Sequence, residues 1–520
     1  MTANKTINNS TNNSENNKRI AKNTAMLYIR MLFTMAVSLY TSRVVLNTLG
    51  VSDFGVYNVV GGVVLMFSFL NSAMTSGTQR FLSFELGRQD FEQQRRVFSM
   101  SINIHAIIAL VVLFLAETIG LWFLNTQLII PVERVNAANW VYQFSILSFM
   151  VTILNVPYNA SIIAHEKMNI YAYVSIVEVT LKLLIVFMLQ WLGFDKLKLY
   201  AALVFGVSLL IPTINIVYCI RKFKECIYYY FWDKSLFKTL MSYAGWNLWG
   251  NIASVTMNQG INILLNIFFG PVINAARGVA YSVNAAVNGF VGNFQMAMNP
   301  QIVKSYASGD RKYMFQLIFQ GSKYSFFLLF TLSLPILIET DTILLWWLKT
   351  VPNYTALFCR LVLINTLIDC ISGPLMTAAQ ASGKIKVYQT VVGGLLLFIL
   401  PLSYLFLKLG FPPQTTLYVS ISISIIALFS RLLIINKLIN ISLIAFLKQV
   451  LSPILMVSVV AVVSPLMVKI YINHEIIRFF TVCFISLLSV VLAVYYIGLK
   501  NEERLFVNSK LRMIAIKVKK

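Results

Sequence analysis

Nine basic side chains stand within or beside stretches of sequence apolar enough for lipid: Arg30, Arg43, Arg80, Lys182, Arg277, Lys323, Arg360, Arg431 and Arg478. Only two acids, Glu178 and Asp369, lie as deep. A charge placed in hydrocarbon costs several kcal/mol, so an excess of one sign there calls for water or for a ligand of the opposite sign. Arg43, Arg80, Arg431 and Arg478 fall near the ends of their stretches, where a long side chain can reach the interface. Arg30, Lys182, Arg277, Lys323 and Arg360 lie deeper. Glu178 precedes Lys182 by four residues, the favourable order for an ion pair on one helix. The chemistry expected of the deeper cations is the binding of an anion such as a phosphate. Glu178 and Asp369 are the candidates for coupling to a proton or sodium ion; Asp369 shares its helix face with Asn365, Ser372 and Gln380 and is also within reach of Arg360.

Amides accompany these charges. "YAGWNLWGNIASVTMNQGINILLN" carries Asn247, Asn251, Ser254, Asn258 and Asn262 at intervals of 4, 3, 4 and 4. At about 100° per residue they form one narrow stripe on a helix. The next apolar stretch repeats the pattern with Asn274, Arg277, Tyr281, Asn284 and Asn288, among the small residues Gly278, Ala285, Gly289 and Gly292. Such faces avoid lipid. They suit either interhelical hydrogen bonds or a wet lumen that receives hydroxyl groups, and the latter makes Asn247, Asn251, Asn258, Asn262, Asn274, Tyr281, Asn284 and Asn288 candidates for binding a glycan.

The elements that position these residues follow from composition. The 520-residue chain is 58% hydrophobic and 12% charged, more apolar surface than a soluble core of this length can hide. Fourteen stretches of roughly 20 residues are long enough to cross about 30 Å of hydrocarbon as helices. They run from 24 to 47, 55 to 79, 97 to 120, 137 to 162, 170 to 192, 199 to 220, 239 to 266, 271 to 300, 314 to 338, 355 to 380, 387 to 408, 415 to 436, 450 to 472 and 476 to 498. The fold class is therefore an all-α polytopic membrane protein. Lysines and arginines outside the spans concentrate on the tails and on the loops joining even to odd spans, which places both termini in the cytoplasm. Clusters such as "RKFKECIYYYFWDK" and "KLRMIAIKVKK" then face anionic lipid rather than nucleic acid. The Asn-rich segment 1–22 reads as a disordered cytoplasmic tail. The five cysteines have no metal-ligand spacing and read as packed thiols.

The chain is also duplicated. "ETIGLWFL" (117–124) matches "DTILLWWL" (341–348), and the same offset of 222 to 224 sets Gln79 on Gln301, Gly87 on Gly309 and Trp122 on Trp346. Beyond it an offset of 217 sets Pro157 on Pro374, Lys167 on Lys384, Tyr171 on Tyr388 and "LGF" at 192–194 on "LGF" at 409–411. Six spans per half give both halves the same orientation, related by an axis along the membrane normal. The resulting division is an N-lobe over 23–220, a cytoplasmic linker over 221–238, a C-lobe over 239–437, two added spans over 438–498 and a basic tail over 499–520. A cleft between two such lobes is where a transporter holds its cargo.

Absences narrow the class to a non-enzyme. There is no phosphate loop, zinc spacing or nucleophile elbow. His105, His165 and His474 stand at unrelated depths, and the longest outer loop, about 15 residues, is short for a glycan polymerase or ligase. A cation-coupled multidrug exporter is the alternative transporter, and it wants acids that this sequence scarcely offers.

Longer strings carry a resemblance. "LYTSRVVLNTLGVSDFGVYNVVGG", "TQRFLSFELG", "VPYNASIIAHEKM", "FFGPVINAARGVA" and "NPQIVKSYASGD" resemble the lipopolysaccharide-biosynthesis flippases of the multidrug/oligosaccharidyl-lipid/polysaccharide exporter superfamily, over essentially the whole chain. The resemblance implies a fourteen-helix, two-lobed fold that exports polyprenyl-pyrophosphate-linked repeat units across the bacterial inner membrane, with glycan polymerases and other assembly proteins as partners and no cofactor. The chain is also similar, more distantly, to lipid II flippases, whose cavities are basic, and that resemblance implies pyrophosphate binding by arginines of the first, second and eighth spans, here Arg30, Arg80 and Arg277. Lys182, Lys323 and Arg360 join them as candidates because of their depth.

Overall fold

The computed structural model describes residues 2–65, 68–126, 130–191, 194–348, 351–505 and 508. It is all α-helical among these residues. Eleven helices are long and apolar enough to cross a membrane. The other three expected spans, 24–47, 55–79 and 271–300, are helical over their described residues too.

The chain divides into two units. The first holds Met1–Ile252 and Met296–Arg311, the second Ala253–Gln295 and Lys312–Lys520. The division falls inside helices, so the ends of the seventh and eighth spans, expected in the C-lobe, belong to the first unit.

In the first unit α1 (Thr2–Leu65) breaks at Gly50, whose φ of 82° a residue without Cβ adopts at no steric cost. α1 begins at Thr2, so the segment expected as a disordered tail is helical: helix nucleation is already met by the apolar turns that follow, and Arg19 and Asn23 fasten it by bonding to Glu166. α2 (Ser68–Arg88) and α3 (Phe91–Leu115) meet at a tight turn, where Asp90 caps α3 by accepting from the Gln93 amide at 2.9 Å. A π-turn leads from α3 into α4 (Leu121–Thr126). α5 (Val135–Ala164), α6 (Met168–Trp191) and α7 (Lys196–Lys222) complete the bundle. Val60, Ala138, Val141, Tyr142 and Leu197 are the centre of one core cluster. Arg134, in the turn before α5, reaches Asp53 on α1 at 2.7 Å and Asp195, which caps α7, at 2.8 Å.

α8 (Lys234–Phe269) and α9 (Pro271–Ala307) form a hairpin. Gly270, with φ 77°, makes its turn, and Pro271 opens α9 at a position where no backbone N–H is needed.

The second unit continues with α10 (Arg311–Ile338), α11 (Thr340–Leu348), α12 (Thr355–Cys370), α13 (Gly373–Ser382), α14 (Lys386–Lys408) and α15 (Thr415–Ile439). The tenth span, expected as one helix, breaks between Cys370 and Gly373, because Pro374 lacks the amide hydrogen that a continuous helix needs. Short α16 (Leu443–Phe446) precedes α17 (Ser452–Tyr471) and α18 (Glu475–Ala493). These last helices are fastened to α10 at two places. Arg478 bonds to buried Glu339 at 3.2 Å, and Lys323 to Glu503 at 2.8 Å. Residues 509–520 of the expected basic tail lie outside the described residues.

Backbone turns refine the duplication. Glu166 and Gly383, offset by 217, both take positive φ, 59° and 74°. Gln89 and Gly309 likewise take 59° and 80°, each just before an aspartate. The turns therefore align Gln89, not Gly87, with Gly309.

Candidate anion and amide site

Arg277 is the centre of the second unit's polar region. It stands on the second turn of α9, about 10 Å from the hairpin turn at 1.5 Å per residue, and is 4% exposed. Its Nη1 donates to the backbone carbonyl of Asn258 at 3.2 Å and to Oδ1 of Asn262. Its Nη2 donates to Oδ1 of Asn258 at 3.4 Å and to the Tyr281 hydroxyl at 3.2 Å. The guanidinium also lies 4.4 Å from the Tyr281 ring centroid, a cation–π distance. Asn274 supports the group by donating to the Asn262 carbonyl at 3.1 Å.

All of these acceptors are neutral. Among the described residues no carboxylate pairs with Arg277, and its buried Nε has no acceptor. The spacing of the two amide stripes produces this: Asn258 and Asn262 share one face of α8, Asn274, Arg277 and Tyr281 one face of α9, and the glycine turn brings the faces together. These hydrogen bonds engage both Nη atoms but bring no opposite charge, so the guanidinium stands in an amide-lined place without a carboxylate among the described residues.

The other candidates are distributed more widely. Asn284 accepts from Thr366 Oγ1 at 2.7 Å, which joins α9 to α12. Asn288 is exposed. Asn247, buried, and Asn251, half-buried, belong to the first unit. Arg30 is half-buried on α1, its guanidinium 4.8 Å from the Tyr171 ring centroid on α6. Thr34 and Thr41, which share its face, turn their hydroxyls back to carbonyls of their own helix. Arg80, expected near the interface, is 8% exposed and stacks against Phe81, Phe84 and Tyr243 at 4.5, 4.6 and 5.7 Å. Lys182 pairs with Glu178 at 2.6 Å, as their spacing predicts.

Four cations have acidic partners that the sequence does not reveal. Lys323 is neutralised by Glu503, and Arg360 by Asp341 while its Nε donates to the Leu337 carbonyl at 3.2 Å. Asp369 lies 3.9 Å from Arg431, not beside Arg360. Arg431 donates to Ser372 Oγ at 2.9 Å, and Asn365 donates to Asp369 at 2.9 Å. Arg431 and Arg478, expected to reach the interface, are instead held by Asp369 and Glu339. Asp341 lies 19 residues from Arg360 and the other partners lie more than 50 residues away, all beyond the range of helical spacing.

Comparison with solved structures places the fold. An outward-facing multidrug resistance MATE family transporter of the MOP superfamily superposes with a TM-score of 0.70 at 12% identity, covering 82% of this chain and 96% of that one. The fold is that of a MATE transporter. A MATE structure in complex with MaD3S gives a TM-score of 0.67 at 13% identity over 82% of this chain and 97% of its own. A MOP superfamily transporter from Pyrococcus furiosus, described as having a binding pocket of reverse polarity that suggests a different function, gives 0.67 at 13% identity over 83% and 96%. No protein-family model matches the chain, and no curated protein does. The MATE fold accounts for the multi-pass architecture. At these identities it carries no substrate.

Proposed function

We propose that this chain is a flippase that moves polyprenyl-pyrophosphate-linked oligosaccharide repeat units across the bacterial inner membrane by alternating access, both termini in the cytoplasm, for lipopolysaccharide or capsular polysaccharide assembly. The observation that carries this reading is Arg277, a buried cation held only by amide, carbonyl and hydroxyl oxygens. A pyrophosphate supplies the missing negative charge, and the surrounding asparagines suit sugar hydroxyls. The prenyl chain stays in lipid while the polar part crosses along protein, which avoids the cost of moving it bare through hydrocarbon. An inside-negative potential favours outward transfer of an anion by about 2.3 kcal/mol per charge per 100 mV.

A multidrug exporter for cationic compounds wants an uncompensated acid. Glu178 is paired with Lys182, and Asp369 lies beside Arg431. This favours the anionic cargo. The deciding experiment is Arg277→Ala in cells, with surface glycan read by immunoblot and membrane content of the protein read in parallel. Loss of surface glycan at normal protein level is expected, with partial export in Arg277→Lys; parental glycan in Arg277→Ala overturns the reading.

A further inference from the structure

Among the described residues of the first unit, Glu166 is a heavily paired charge that lies outside the amide site. Glu166, in the short turn between α5 and α6, has a fully buried side chain. Its Oε2 lies 2.7 Å from Arg19 Nε and its Oε1 2.6 Å from Lys304 Nζ. Gln301 Nε2 donates to both oxygens, at 2.8 and 2.7 Å. Asn23 donates to the Glu166 carbonyl at 3.1 Å, and the residue holds the left-handed φ of 59°. Two cations and an amide thus converge on one buried carboxylate.

Close packing surrounds the cluster. A Cβ on Gly87 would meet the Lys304 carbonyl at 2.6 Å, so the end of α2 lies directly on the last turns of α9. Phe84 faces Tyr306 with ring centroids 6.3 Å apart, and Arg311 covers Tyr306 at 3.9 Å. The strings "TQRFLSFELG", "IIAHEKM" and "NPQIVKSYASGD" thus converge on one place. The last turns of α9 belong to the first unit, whereas its earlier turns belong to the second.

We propose that Glu166 is the pin of a latch, closed in this structure, that holds the Met296–Arg311 segment on the first unit and must release during the transport cycle. The chemistry suits reversible opening. Among the described residues the apolar cluster beside it is small: Leu27, Ile163, Met168 and Ala297, with Tyr171 and Met296 packed against them. A seam of ion pairs and amides can exchange its partners for water on separating, whereas an apolar seam exposes hydrocarbon. The distribution of lysine and arginine puts the seam at the cytoplasmic end, where release admits water and cargo from that side. The inference is independent of which cargo is carried.

Ser305, 5% exposed beside Lys304, reports on the latch. In a full-length chain with the five native cysteines replaced, Ser305→Cys is exposed to a membrane-impermeant maleimide in inside-out vesicles. Glu166→Gln should raise its labelling rate about tenfold or more, since one charged partner of a buried network is lost. Lys304→Met should raise it less, because Arg19 and Gln301 still hold the carboxylate. Ser403→Cys, fully buried on α14, should stay unlabelled in both. If Glu166→Gln also opens Ser403→Cys, that variant has unfolded and the Lys304→Met rate decides. An unchanged Ser305→Cys rate in the deciding variant overturns the latch.

Discussion

Gln143 donates to Glu117 across 3.2 Å, and at the corresponding places of the second half Arg360 forms an ion pair with Asp341. The offsets, 217 and 224, are those of the duplicated strings. One contact, joining the "ETIGLWFL" or "DTILLWWL" segment to the helix after it, is therefore written twice, once as an amide–carboxylate hydrogen bond and once as an ion pair.

Arg360→Gln restores the first-half version of this contact. Because the Asp341 side chain is 66% exposed, the ion pair adds only about 0–1 kcal/mol over the neutral bond. The variant should keep surface glycan at the parental level and its apparent melting temperature in detergent within a few degrees. Loss of export at full membrane content would return Arg360 to the cargo site.

Local periodicity made the helices, the duplication, the Glu178–Lys182 pair and the stripes that meet at Arg277 legible. The stripes could be read because their partners are neighbours in sequence, joined by one glycine turn. Glu166 could not. A lone acid in a three-residue turn has no period, and its partners Arg19 and Lys304 lie 147 and 138 positions away. The same distance hid Glu503 from Lys323 and Asp369 from Arg431. Depth in a span singled out Arg277 and Lys323, which are buried, together with Arg30, Lys182 and Arg360, which are half-buried, and it passed over buried Arg80; nor does depth distinguish a charge awaiting a ligand from one already paired.

Asp369 faces a guanidinium, so the place where a coupling cation would bind is already charge-balanced. Sodium binding there must displace Arg431 or share its field. Asp369→Asn is expected to leave the proton or sodium dependence of transport in proteoliposomes unchanged and to lower the apparent melting temperature, since it leaves half-buried Arg431 without its carboxylate. A transport rate that loses its gradient dependence in Asp369→Asn assigns coupling to this residue after all.

Asn262 positions Arg277 and receives Asn274. Replacing it with Leu removes the Oδ1 acceptor of Arg277 while the backbone carbonyl that Asn274 bonds to remains, so Arg277 should swing or lose burial. We expect a partial loss of export, on the order of tenfold for about 1.4 kcal/mol of lost positioning, with the protein still in the membrane. Asn288→Leu, at an exposed position that takes no part in the Arg277 network, should export as the parent does. Equal loss in both variants would show that the whole amide stripe, rather than the Arg277 cluster, contacts cargo.

The Lys323–Glu503 pair gives the sharpest separation of anchor from ligand site. The side chains are 3% and 11% exposed, and Gln320 adds a hydrogen bond to Glu503 at 3.1 Å. Removing one partner leaves a buried charge, so Lys323→Met should destabilise by about 3–5 kcal/mol, while Lys323→Met with Glu503→Met should recover most of it. A phosphate-binding lysine predicts the opposite: export lost in both, with stability little changed. Acid titration tests the same pair. Burial acts to raise the Glu503 carboxyl, but the hydrogen bond from Lys323, the Lys500 amide, the Lys323 charge and Tyr324 outweigh it and hold it below its ordinary value. A carboxyl depressed in the folded state contributes stability that is present above its unfolded value, about 4.3, and lost as pH falls through the lower folded value. The parent's apparent melting temperature should therefore fall faster than the double variant's as pH drops below about 4. Parallel curves for the two would remove Glu503 as the partner of Lys323 and reopen that lysine to the cargo.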